Sequence, residues 1–78
     1  MSVKAIDPSR LKLDDIIRFH LTGEECKVVE TDIDGTISPW FLLTDAGKER
    51  LKITLRWPNG DRRAYPLGDG IWWHFRAA

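Results

Sequence analysis

Leu51, Ile53, Leu55 and Trp57 alternate with Arg50, Lys52, Thr54 and Arg56. A strict period of two sends successive side chains to opposite faces of an extended chain. This run therefore predicts a strand with one buried and one wet face, the signature of an antiparallel sheet. Pro58-Asn59-Gly60-Asp61 follows as a turn, and residues 62–67 return. Two registers are open. A two-residue Asn-Gly loop places Ala64 opposite Leu55 and turns Tyr65 and Leu67 to the Lys52/Arg56 side. A type I turn with Gly60 left-handed adds a bulge and brings Tyr65 and Leu67 inward beside Ile53. The bulged turn is preferred, because Pro58 suits it and it buries more apolar surface.

Four more segments read as strands. Residues 15–21 place Ile17, Phe19 and Leu21 on one face, and residues 26–31 return after Thr22-Gly23-Glu24-Glu25. Trp40-Phe41-Leu42-Leu43 follows as a strand, with Pro39 at its start marking an edge strand or a strand beginning, and Asp45-Ala46-Gly47-Lys48 turns the chain again. Residues 71–75 put Ile71, Trp73 and Phe75 on one face. Ser9 is a candidate cap for a brief helical turn over residues 10–13. About five strands at 8–15-residue spacing, joined by short glycine-containing turns, predict a mainly β fold in one domain spanning residues 1–78. The expected architecture is a small antiparallel barrel of SH3-like type, or else a strongly curved five-stranded sheet with a short N-terminal helical turn. Residues 1–8 are expected to be flexible.

Thr31-Asp32-Ile33-Asp34-Gly35-Thr36-Ile37-Ser38 resembles the nucleophile loop of the haloacid-dehalogenase-like phosphotransferases. The resemblance implies Asp32 as nucleophile, Asp34 as acid/base and Thr36 as phosphate contact. It covers five residues. The parallel sheet that such a loop requires consumes a dozen or more residues at each crossover, which 78 residues do not accommodate. Nor does a later acidic pair follow to hold a metal ion. Asp34-Gly35 is accordingly read as a hairpin turn, chosen because glycine takes positive φ without strain.

Twelve basic and twelve acidic residues cancel, so no bulk attraction to nucleic acid or membrane is expected. The distribution is uneven: Lys48, Arg50, Lys52, Arg56, Arg62 and Arg63 crowd one stretch that holds only Glu49 and Asp61 as acids. A single cysteine, Cys26, excludes an internal disulfide. With no apolar secretory region at the amino terminus and no long apolar run, a cytoplasmic location is expected. His20, Cys26 and His74 lack the paired spacing of zinc ligands. Asp14-Asp15 and Glu24-Glu25 flank strands, where charged turn residues are ordinary. No metal, no cofactor and no catalytic residue is expected.

Trp40, Trp57, Trp72 and Trp73 are many for so short a chain. If residues 71–75 form a strand, Trp72 and Trp73 face opposite ways, and Trp72 is assigned to the surface because Trp73 aligns with Ile71 and Phe75. Trp72, His74 and Arg76 then make one candidate partner-binding group, with Arg56 and Arg62 a second. The expectation is a non-catalytic interaction module that binds a protein partner or a second copy of itself. A small nucleic-acid-binding barrel is the alternative, and an oligomeric small-barrel enzyme the third.

Overall fold

The computed structural model describes residues 4–78. Five antiparallel strands form one sheet: β1 (Ile16–Phe19), β2 (Glu25–Thr31), β3 (Lys52–Arg56), β4 (Arg62–Pro66) and β5 (Phe75–Ala77). Their spatial order is β4-β3-β2-β1-β5. The sheet is not closed: β4 and β5 are its two edges, so the expected barrel is replaced by an open sheet. The chain passes from β4 to β5 across the core face, through a 3-10 helix at Gly70–His74. A second 3-10 helix, Pro8–Arg10, supplies the anticipated N-terminal turn, capped by Asp7 rather than Ser9. Of the segment expected to be flexible, residues 1–3 lie outside the described residues. Ile6 donates its N–H to the Phe75 carbonyl and packs against the core.

The strongest expectation holds. Leu51, Ile53 and Leu55 are buried while Lys52 and Arg56 are exposed. Ile53 stands opposite Tyr65 and Leu55 opposite Arg63, which is the bulged register, and Gly60 sits at φ 93°. Tyr65 and Leu67 pack against the core as that register requires. On the other side of β3, pairing with β2 shifts by one residue between Val28 and Glu30. This bulge lets Val28 face inward opposite Leu55 and Thr31 face inward opposite Ile53. Residues 15–21 shorten to β1: Ile17 is buried, but Leu21 lies beyond the strand and is 66% exposed.

Two expected features are replaced by helices. Pro39–Leu42 is a helical turn, α1, and Asp45–Arg50 is a second, α2. Ser38 accepts from the Trp40 N–H and Pro39 occupies the first helical turn, where its missing N–H costs nothing. Thr44 Oγ1 accepts from the Gly47 N–H at 3.0 Å and donates to the Phe41 carbonyl at 2.7 Å, tying α2 to α1. Gly47 is buried, and a Cβ there would run into that same Phe41 carbonyl. Gly47→Ala is therefore expected to cost about 1–3 kcal/mol through forced backbone displacement, measured as a lowered urea midpoint.

The core comprises Leu11, Ile17, Cys26, Val28, Ile53, Leu55, Trp72 and Phe75. It lies between one face of the sheet and the segments crossing it. Burial raises the Cys26 thiol from 9.0 to about 11, with Glu24 adding to the effect. The unfolded chain thus ionises this thiol first as pH rises, so folding stability is lost between about 9 and about 11. We expect a fall of the order of 2 kcal/mol over that window, absent from Cys26→Ala, when denaturant unfolding is compared at each pH.

Candidate functional site

Cross-strand pairing determines what the uncovered face of the sheet presents. Ile16 pairs with Lys27, Lys27 with Arg56, and Arg56 with Arg62. Directly opposed residues share a face, so Lys27, Arg56 and Arg62 form one row of three cations across β2, β3 and β4. Lys52 lies two residues from Arg56 on the same face, and Arg18 and Arg76 stand opposite each other on β1 and β5. Glu25 and Glu30 are the acidic residues among these positions. Arg56 and Arg62 are exposed, and no residue at these paired positions is buried.

The charges in this row are only partly compensated. Lys27 Nζ is 3.3 Å from Asp14 Oδ1, and Arg18 approaches Glu25 at 3.7 Å, both on exposed surface. Arg56 and Arg62 have no ion pair among the described residues. Like charges directly opposite one another on a sheet are destabilising. The row works against folding, so its presence calls for another reason.

Of the five residues anticipated as partner contacts, the structure places three on this face but brings only Arg56 and Arg62 together. Arg56 and Arg62 lie together at the β4 side, and Arg76 at the β5 edge. The Arg76 guanidinium is drawn back onto the Trp73 and Phe75 carbonyls. His74 is half-buried with its ring edge-on to Phe19, centroids 6.0 Å apart. Trp72 is the correction: it is 4% exposed, while Trp73 is 70% exposed. The expected strand at residues 71–75 is a 3-10 helix, started by Asp69 accepting from the Ile71 N–H at 2.8 Å. Three residues per turn bring Trp72 and Phe75 to the same side and leave Trp73 pointing away. Trp72 Nε1–H donates to the Pro66 carbonyl at 2.7 Å, which fastens the helix to the end of β4.

The Asp32–Thr36 loop serves the backbone. Asp32 Oδ2 accepts from the Lys52 N–H at 2.9 Å, closing the β2–β3 end. Asp34 Oδ1 accepts from the Thr36 hydroxyl at 2.6 Å and its N–H at 2.9 Å, which holds the carboxyl below its ordinary range. Gly35 takes φ 88°. The loop turns the chain into α1, so the expected hairpin is instead a strand-to-helix turn. Asp15 likewise accepts from the Lys12 N–H.

Sequence reasoning missed the contributions of Lys27 and Arg18, which become visible only once β2 is placed beside β3 and β1. It also missed Trp40 and Leu43, three residues apart, both exposed at the end of α1. The Ser38-Pro39 cap and first-turn pair is the signal that marks them as helical. A broad hollow of about 790 Å³ opens between residues 9–13 and 31–35, lined by Leu11, Leu13 and Ile33 among others. Among the described residues no group of three His, Cys, Asp or Glu is placed to hold a metal ion, and no helix is long and apolar enough to cross a membrane. Compared with known proteins, the chain matches no family model, no curated protein and no solved structure.

Proposed function

We propose that this chain is a non-catalytic interaction module whose open sheet face binds an acidic surface of a protein partner. The observation that carries this reading is the Lys27–Arg56–Arg62 row, three cations in directly opposed positions on a solvent-open face. Complementary charge of this kind steers encounter and fixes orientation. A second copy meeting the same face would oppose like charges, which favours a different partner over self-association there. The connectivity, five short strands with a 3-10 helix joining β4 to β5, is read as an opened relative of the SH3-like arrangement. A cytoplasmic location accords with this role.

Nucleic acid is the second reading, favoured by the same row, which suits phosphates as well as carboxylates. Aromatic side chains are missing from the paired positions of this face, and Trp57, beside Lys27 and Arg56, is a single ring at its margin, so base stacking contributes little. The two readings separate in one experiment, in which labelled poly-L-glutamate and a short DNA duplex are titrated in parallel across a salt series. Tighter binding of the polypeptide, weakening with salt, is the expected result. Tighter binding of the duplex with a steep salt slope transfers the function to nucleic acid. No binding of either at low salt overturns both.

A further inference from the structure

The opposite face of the sheet carries the core, and the β1–β2 and β3–β4 turns meet at one end of it. There a cleft of about 300 Å³ is lined by Phe19, Trp57 and Tyr65, with Glu24, Asp61 and Arg63 around them. Trp57 is the central ring. Phe19 meets it edge-on at 6.4 Å between centroids and 70°, and Tyr65 at 6.3 Å and 63°. None of the three rings is fully buried.

A cation already lines the cleft. Arg63 stands opposite Leu55 on the core side of the sheet but, at its open end, remains exposed. Its guanidinium carbon lies 5.8 Å from the Trp57 ring centroid, within the range of cation–π attraction. Among the described residues Arg63 has no ion pair, although Glu24 and Asp61 line the same cleft, and neither carboxylate is paired with a cation. Asp61 is held in place by Asn59, whose Nδ2 donates to its Oδ2 at 3.1 Å. Aromatic walls, a negative rim and a tethered cation resting on the central ring share one chemistry. Ring faces attract positive charge, and unpaired carboxylates at the rim add to that field.

We propose that this cleft is a binding site for a compact organic cation, a quaternary ammonium head group, and that Arg63 is its intramolecular occupant. A quaternary ammonium suits these walls because it carries full charge on an apolar surface and brings no hydrogen-bond donors to satisfy. When it enters, Arg63 swings out to solvent. Entry thus competes with a tethered group, which sets a threshold on affinity. The cleft lies on the core side of the sheet, with Trp57 also reaching the margin of the basic face beside Lys27 and Arg56, and it does not rest on the function proposed for that face.

The test compares choline with its neutral carbon isostere, 3,3-dimethylbutan-1-ol, each titrated into the full chain. The readout is the Trp57 indole N–H resonance, assigned through Trp57→Phe. Choline is expected to shift this resonance saturably, with an affinity about fivefold or more above that of the isostere. Arg63→Ala, an exposed position whose removal leaves the core intact, is expected to tighten choline binding severalfold. Asp61→Asn is expected to weaken it. Equal binding of choline and its isostere identifies an apolar hollow with no charge preference and overturns the proposal. So does the absence of any shift in both the native chain and Arg63→Ala, or a choline affinity that Arg63→Ala leaves unchanged.

Discussion

Phe75→Ala is expected to leave the chain largely unfolded at 25 °C. Phe75 is fully buried at the start of β5. It joins three aromatic rings: Phe19 at 5.1 Å, Trp72 at 5.6 Å and Trp57 at 6.2 Å between centroids. Truncation of a buried phenylalanine costs about 3–5 kcal/mol in transfer and cavity terms. Its carbonyl also accepts from the Ile6 N–H, and its pairing with Phe19 helps dock β5 against β1, so loss of the ring unseats the packing beneath that edge. A domain this small, with no disulfide, rarely holds more than about 3–5 kcal/mol in total, so the loss is comparable with the whole. Loss of near-ultraviolet circular dichroism and collapse of amide dispersion are the expected readouts. A variant with a native-like spectrum and an unchanged urea midpoint would contradict the placement of the core.

Arg56→Glu is expected to act in opposite directions on folding and binding. The substitution sets a carboxylate between Lys27 and Arg62, its two cross-strand neighbours. Two unfavourable pairs become favourable ones, each contributing roughly 0.2–1 kcal/mol. For a domain of this size, each kcal/mol raises the melting temperature by roughly 4–8 °C. The same change removes the central charge of the basic row and reverses its sign. Affinity for poly-L-glutamate at low salt should fall by about tenfold or more, since like charges across an interface are costly. A purely structural role for Arg56 predicts the reverse on the first count, a loss of stability. Melting curves and binding isotherms on one preparation distinguish the two.

The parts of the fold that were legible in the sequence are those governed by period two over a long enough run. Leu51, Ile53 and Leu55 declared their face, and Pro58 and Gly60 declared the register. The segments that were not legible are short. Four residues at Pro39–Leu42 and five at Gly70–His74 are too few for helical periodicity to show against strand alternation. In both, the decisive signal was a capping side chain, Ser38 or Asp69, rather than a hydrophobic pattern. That one substitution of helix for strand moved Trp72 from the surface to the core and Trp73 the other way. The openness of the sheet was hidden for a different reason. It depends on where β5 lands, and the chain from β4 spends residues 67–74 crossing the core face to reach β1. The basic row was half legible: Arg56 and Arg62 share a hairpin, whereas Lys27 joins them only through a pairing that spans the twenty residues between β2 and β3.

The proposed binding surface is the uncovered basic face of the sheet. Its most direct test is a backbone amide shift map during titration with poly-L-glutamate at low salt. Binding at this face requires that the shifts cluster at Lys27, Lys52, Arg56 and Arg62 and their immediate neighbours, and that they disappear as salt is raised. Shifts concentrated instead around Trp40 and Leu43 or around Trp73, or a spectrum that does not move at all, would contradict it.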